Sequence, residues 1–223
     1  MTVPILRGAL RGKKWIVGSQ RHAFWLGVYE PHMQELIARE VRPGSIFWDV
    51  GANVGFYSLL ASTLVGTGKV FAFEPLPSNV TYLYRHLALN NIKNAEVLEL
   101  AICDRVGYAS FAPEGTGAMG HLQDQGTLSV ATETLDSLLQ GKKIPPPEYI
   151  KMDIEGAEYA ALLGGQSCFG EHKPVLFLAT HGRQVREQCQ DLLRSWHYEL
   201  QVVGNPSLDR AEIFCRPMTK REF

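Results

Sequence analysis

From residue 45 onward, short apolar runs alternate with stretches whose apolar positions recur every three or four residues, the pattern of parallel strands joined by crossover helices. Residues 46–50, 70–73, 95–100, 149–152 and 175–180 read as five buried core strands. Helices are predicted over 55–65, 78–90, 157–163 and 184–196; in the second of these Val80, Leu83, Tyr84 and Leu87 share one face. The chain then carries two β-like segments, 198–203 and 211–215, around Gly204-Asn205-Pro206. So short a connection makes the two antiparallel.

Residues 1–29 scatter Gly8, Gly12, Gly18 and Gly27 among basic and aromatic residues, which predicts short strands and turns. Trp15, Phe24, Trp25 and Tyr29 are expected to pack there rather than to cover a site. Met33, Leu36 and Ile37 recur at helical spacing between Pro31 and Arg39, and Pro43-Gly44 ends that helix. The alternation is interrupted over 104–126, where a hairpin and an irregular loop are expected, with His121 and Met119 within reach of a ligand. A strand over 128–134 and a short helix over 135–139 follow, then the stiff connector Pro145-Pro146-Pro147. We expect a single domain over 1–223, with 1–44 as an N-terminal hairpin-and-helix extension and 45–223 as its core.

Composition narrows this picture without changing it. At 223 residues, 45% hydrophobic and 20% charged, the chain can bury one ordinary core. A formal net charge of -1 offers no overall attraction to nucleic acid, so small acceptors are favoured. Cys103, Cys168, Cys189 and Cys215 make no Cys-x-x-Cys pair and read as buried free thiols. No segment approaches the roughly 20 apolar residues that cross a bilayer, and no secretory signal is legible at residues 3–7. A cytoplasmic location is expected, and the oligomeric state is left open.

The candidate chemistry begins at Asp49-Val50-Gly51-Ala52-Asn53-Val54-Gly55, where the first core strand turns into a helix. Glycines at 51 and 55 permit a sharp turn and close approach of a ligand, but their spacing is not that of the Gly-x-Gly-x-x-Gly pyrophosphate fingerprint. Asp49 would repel a phosphate and suit a cationic or amine-bearing ligand. Glu74, roughly 20 residues beyond the loop, stands at a strand end where it can accept hydrogen bonds from ribose hydroxyls. Together these describe a nucleoside site without phosphates. S-adenosylmethionine, a nucleoside bearing a sulfonium and an ammonium, meets that description.

With Phe73-Glu74-Pro75 and Lys151-Met152-Asp153-Ile154-Glu155-Gly156, the loop resembles the FkbM family of methyltransferases over about residues 29–181, starting at Tyr29-Glu30-Pro31. The resemblance implies an α/β, Rossmann-like class I methyltransferase fold: a mostly parallel sheet with a terminal antiparallel strand pair and helices on both faces. It also implies methyl transfer from S-adenosyl-L-methionine, most often to a hydroxyl oxygen of a natural product, sugar or other small molecule. The candidate cofactor set is Glu30, Asp49, Gly51, Ala52, Asn53, Gly55, Phe56, Glu74, Pro75, Asn79, Ile102, Asp104 and Asp153, with Ile102 and Asp104 beside the adenine.

Ligands of open α/β sheets bind outside the carboxyl ends of the strands, where Lys151, Asp153, Glu155 and His181 fall. We expect Asp153 to bridge cofactor and acceptor, His181 to be the candidate base, and Lys151 and Glu155 to orient. Ala179-Thr180 stand where the resemblance implies a glutamate shortly before the histidine. Asp153 and Glu155 lack a clear third ligand, so no metal is expected. Two rival classes are a nicotinamide-dependent oxidoreductase, disfavoured by the glycine spacing, and a cofactor-binding domain without chemistry. A nucleic-acid methyltransferase is disfavoured by charge and by the lack of an Asn/Asp-Pro-Pro-Tyr/Phe segment after residue 152.

Overall fold

The computed structural model describes residues 1–113, 120–122, 128–141, 144–207 and 209–218. At the N-terminus β1 (Thr2–Pro4) and β2 (Lys14–Ile16) form an antiparallel hairpin. A one-turn helix α1 (Ala23–Leu26), hidden by the glycine-rich texture, precedes α2 (Pro31–Glu40). The core follows as β3 (Ile46–Val50), α3 (Phe56–Val65), β4 (Lys69–Phe73), α4 (Pro77–Leu89) and β5 (Ala95–Leu98).

The strand predicted over 95–100 ends early. Leu100 N–H donates to Leu98 O at 2.9 Å, and the chain leaves the sheet as β6 (Ala101–Ile102). β6, β7 (Gly107–Pro113), β8 (Gly120–Leu122) and β9 (Leu128–Glu133) build a separate four-stranded sheet in the order β6-β9-β7-β8. The expected hairpin is β7–β8, whereas the strand around 128–133 belongs to this side sheet rather than to the core. Met119 and the side chain of His121 lie outside the described residues.

The chain returns through α5 (Leu135–Gln140), β10 (Tyr149–Met152), α6 (Glu158–Leu163) and a π-helical turn (Cys168–His172) that the sequence did not reveal. It continues as β11 (Val175–His181), α7 (Arg183–Ser195), β12 (Tyr198–Val203) and β13 (Arg210–Pro217). The central sheet has seven strands in the order β12-β13-β11-β10-β3-β4-β5. Pairs from β11 to β5 are parallel, and β13 inserts antiparallel to both β11 and β12. The architecture is α/β, with a mostly parallel sheet between two helical layers.

Strand alternation sorts the two faces. Trp48, Val50, Ile150, Met152, Leu176 and Leu178 share one core cluster with residues of α5, α6 and α7. Phe47, Tyr149, Phe177 and Phe214 point the other way, into a cluster with α2, α3 and the N-terminal aromatics. That second face changes character along its length. Phe177 pairs with Phe214, then Ala179 with Glu212 and His181 with Arg210, while Asp49 pairs with Lys151. An aromatic layer thus gives way to charged groups at the carboxyl edge of the same sheet.

The N-terminal hairpin is bound to this frame by buried polar contacts. Ile16 N–H donates to His86 Nε2 at 3.1 Å, so the imidazole proton is on Nδ1, which donates to Val54 O at 2.7 Å. Trp15 stacks on the His86 ring with centroids 3.7 Å apart, and Asn90 both accepts from Lys14 N and donates to Lys14 O. Trp15 is fully buried, in keeping with a packing role.

Burial pushes the His86 pKa down from 6.5 to about 4, so its stabilising contribution is complete above 6.5 and is lost as pH falls through that window. The shift corresponds to roughly 3 kcal/mol. Replacing His86 by Leu leaves two backbone groups unpaired, and we expect a loss of about 2 to 4 kcal/mol at neutral pH. Urea unfolding across pH 4 to 7 should also show a shallower acid limb in His86→Leu than in the wild type; parallel limbs would refute the assignment.

Candidate functional site

β3 and β4 end side by side, and the loop 51–55 turns over their carboxyl edge into α3. Gly51 has φ 84° and a Cβ there would stand 2.0 Å from the Asp153 carbonyl oxygen. Gly55 has φ 94° and would drive a Cβ to 2.4 Å from the Leu83 side chain. The positive φ favours glycine at both positions, and at Gly51 the approach of another backbone demands it. The N–H groups of Gly51 and Ala52 donate to Phe73 O at 3.0 and 2.9 Å.

Glu74 is 5% exposed and accepts from Asn53 N at 2.8 Å, Leu76 N at 3.0 Å and Asn79 Nδ2 at 3.2 Å. Burial nevertheless raises its pKa to about 7, against the lowering effect of these donors. Oε1 takes two of the donors and Oε2 one, so Oε2 keeps capacity for a ribose hydroxyl.

A pocket of about 1040 Å³, open mouth included, runs from Glu74 to Asp153. Its wall contains the expected Gly51, Ala52, Asn53, Phe56, Glu74, Pro75, Asn79, Ile102, Asp153 and Glu155. The remaining expected cofactor residues lie elsewhere. Asp49 is buried behind the loop, where Ser58 Oγ donates to it at 2.5 Å and burial raises its pKa to about 6. Gly55 serves the packing of α3 on Leu83. Asp104 is exposed and does not line the pocket, because the turn after β6 carries it outward. Glu30 lines a neighbouring pocket with His32, Asn205, Ser207 and Glu212, separated from the first by Arg210, which lines both.

The structure also brings to the first pocket Gln20, Arg21, Phe24 and Tyr29 from the N-terminal segment, Tyr57 from α3, and Arg210 from β13. Phe24 and Tyr29, expected only to pack, stack on each other at 4.2 Å and form wall as well. Apart from Tyr29, which opens the Tyr29-Glu30-Pro31 segment, no local motif marks these residues. Of the rest, Arg210 alone had a signal, since antiparallel pairing of the last strand places its first residue opposite the end of β11.

Asp153 is the hub of the charged end. Its Oδ2 lies 3.5 Å from Lys151 Nζ and 3.3 Å from Arg210 Nη2, and Arg210 also pairs with Glu30. Burial works against this carboxylate, but Lys151, Arg210 and His181 outweigh it and hold the group below the ordinary carboxylate range. Lys151 is fully buried with its ammonium 5.0 Å from the Tyr57 ring centroid, and Tyr57 Oη donates to Glu30 at 2.6 Å.

His181 Nε2 stands 3.6 Å from Asp153 Oδ1 and 3.3 Å from Glu155 Oε2, and its Nδ1 lies 2.8 Å from Glu158 Oε1. Burial disfavours the imidazolium, but the Glu158 hydrogen bond and the charges of Asp153 and Glu155 prevail, so its pKa is raised. The four expected catalytic residues do come together. Two acids from other elements stand near the histidine: Glu158 from α6 meets its Nδ1, and Glu212 on β13 lies across from Ala179. Burial and the nearby Glu30 charge push the Glu212 pKa up.

A seven-stranded sheet with one inserted antiparallel strand, a glycine turn after its first core strand and a buried acid after the second define the class I methyltransferase architecture. The sequence matches the Methyltransferase FkbM domain over residues 49–204. The chain therefore belongs to the FkbM family of S-adenosylmethionine-dependent methyltransferases.

It is 29% identical over 140 residues to the hexuronic acid methyltransferase AglP of Haloferax volcanii, covering 60% of this chain and 56% of that one. It is 33% identical over 98 residues to the 31-O-demethyl-FK506 methyltransferase FkbM of Streptomyces tacrolimicus, covering 43% and 37%. The chain thus spans about half or less of the length of these relatives. Among solved structures, methyltransferase FkbM from Methylobacillus flagellatus superposes with TM-score 0.54 at 21% identity, over 77% of this chain and 43% of that one. Aeropyrum pernix fibrillarin, solved with S-adenosyl-L-methionine, gives 0.52 at 13%, over 78% and 67%. These likenesses concern the fold.

The cradle fits the cofactor: Glu74 is a buried acceptor with spare capacity, Ile102 offers an apolar wall, and the loop amides point at a strand edge without a phosphate-type glycine array. Because an ionised Glu74 accepts from a ribose more strongly than a protonated one, affinity for S-adenosylhomocysteine should be flat above pH 7 and weaken as the pH falls below it. Glu74→Ala should cost roughly 1.5 to 3 kcal/mol of binding at pH 8 and remove that slope. Calorimetry giving equal affinities for both proteins would discount the residue.

Proposed function

We propose that this chain methylates a hydroxyl oxygen of a sugar or sugar-like small molecule, acting as one catalytic unit with residues 1–44 as an extension of it. The observation that carries the reading is the continuity of the pocket: one cavity has the ribose-type acceptor Glu74 at one end and Asp153 with Glu155 at the other. The neighbouring pocket, polar through Glu30, His32, Asn205, Ser207 and Glu212, suits a hydroxyl-rich molecule, and AglP acts by name on a hexuronic acid. A net charge of -1 favours such an acceptor over nucleic acid. Four buried free cysteines support a reducing, cytoplasmic setting, and among the described residues no helix is long and apolar enough to cross a membrane.

When bound, S-adenosylmethionine supplies an electrophilic methyl group on a sulfonium. Glu74, Asn53 and Asn79 hold the nucleoside end, and the apolar wall formed by Phe24, Phe56 and Ile102 excludes water. Asp153, kept ionised by Lys151 and Arg210, stands where the two substrates meet and can accept a hydrogen bond from the hydroxyl. Glu155 completes the acceptor end, with His181 against it at 3.3 Å. Lys151 orients Asp153 from behind, being fully buried.

A labelled-methyl screen against uronic acids, neutral sugars and hydroxylated natural products tests the reading, with NAD binding as the arm for the oxidoreductase class. With a cognate acceptor found, His181→Ala should lower kcat by roughly 10²- to 10⁴-fold with cofactor affinity nearly unchanged. Asp153→Ala should harm both. Full turnover in His181→Ala would take the residue out of the reaction.

A further inference from the structure

We propose that Asp153, Glu155 and His181 form a site for one divalent cation of the Mn²⁺ or Mg²⁺ kind, at the acceptor end of the pocket. One ligand atom from each, an imidazole nitrogen and two carboxylate oxygens, lies within 4.8 Å of the others. His181 Nε2 is 3.3 Å from Glu155 Oε2 and 3.6 Å from Asp153 Oδ1. Ligands at right angles on an ion with bonds of about 2.1 to 2.5 Å stand roughly 3.0 to 3.5 Å apart. The two distances from His181 need only slight contraction. His181, which the sequence already groups with the two acids at the carboxyl edge of the sheet, supplies the third ligand they lacked.

Two further observations point into the same space. Asp153 Oδ1 is sealed from solvent and accepts no hydrogen bond, while Lys151 and Arg210 both approach the other oxygen, Oδ2. The chain's own cations neutralise one half of the carboxylate and leave the other half bare toward His181. Behind the imidazole, fully buried Glu158 takes Nδ1 at 2.8 Å and is itself fixed by Gly156 N at 3.0 Å. That contact turns Nε2 toward Asp153 and Glu155, the carboxylate-behind-histidine arrangement that orients metal-bound imidazoles.

Two hard oxygens and one imidazole suit Mn²⁺ or Mg²⁺ better than thiol-seeking ions. Asp153 and Glu155 line the pocket and His181 does not, so an ion held by the three would sit at the pocket's edge, where Glu155 is the open side. There it would hold acceptor hydroxyls and make a bound one easier to ionise, the proton leaving to solvent past Glu155, whose side chain is 35% exposed. This role rests on the reading of the acceptor end given above; the site itself rests on its geometry.

The test is a Mn²⁺ titration of the chelator-treated full chain, read by loss of the free-ion electron paramagnetic resonance signal, with S-adenosylhomocysteine binding measured on the same samples. We expect one Mn²⁺ per chain at a Kd below about 1 mM. Glu155→Gln and His181→Ala should weaken it tenfold or more, and Glu158→Gln, which acts only through Nδ1, by about 10- to 100-fold. Glu155 is partly exposed, so Glu155→Gln keeps the test valid if the Glu158 variant does not fold. Absence of Mn²⁺ binding while S-adenosylhomocysteine still binds would overturn the metal site and leave the methyltransferase reading standing. Equal Mn²⁺ affinity in wild type, Glu155→Gln and His181→Ala would overturn it too, by placing the ion elsewhere. Loss of S-adenosylhomocysteine binding by the wild type would count against the proposed function instead.

Discussion

At Gly51 the loop after β3 touches the backbone after β10, and no side chain fits between them: a Cβ would lie 2.0 Å from Asp153 O. This contact sets the distance between the Glu74 end of the pocket and its charged end. Asn53 and the amides of Gly51 and Ala52 bind the same loop to Glu74 and Phe73, so β3, β4 and β10 present their ends as one rigid edge. Reaction geometry in group transfer depends on placement to within about an ångström, and here the placement is a property of backbone contacts rather than of side-chain choice.

The same edge concentrates charge that burial makes costly. Glu30, Asp153, Glu155, Glu158 and Glu212 crowd around Lys151, Arg210 and His181, with acids in excess. Where cations are near, as at Asp153, the carboxylate stays ionised; where burial and then a neighbouring acid act together, as at Glu212 beside Glu30, protonation is favoured. An arrangement with this imbalance is stabilised by anything positive that enters it, whether a proton, a sulfonium or a metal ion.

Much of the frame was legible because periodicity reports burial directly. The five core strands, the helices between them and the final antiparallel pair follow from apolar spacing, and Gly51, Gly55 and Glu74 follow from what a tight turn and a ribose require. What escaped was decided by non-local geometry. The strand after residue 95 stops at Leu98 because the chain turns to pair with β9, which local pattern cannot encode. Asp104 carried a plausible side chain but faces outward, while Arg210 and Glu158 carry no motif and act through strand register and helix docking. No acid stands directly before His181 in the sequence, but Glu158 from α6 meets its imidazole.

Arg210 pairs with Glu30 across a sequence separation of 180 residues. Closing so long a segment carries an entropic cost that must be met before the contact rewards it, and contacts of this span are slow to form. The wall between the two pockets is thus made by two distant parts of the chain, so a change that loosens either the segment around Glu30 or the start of β13 merges the two cavities.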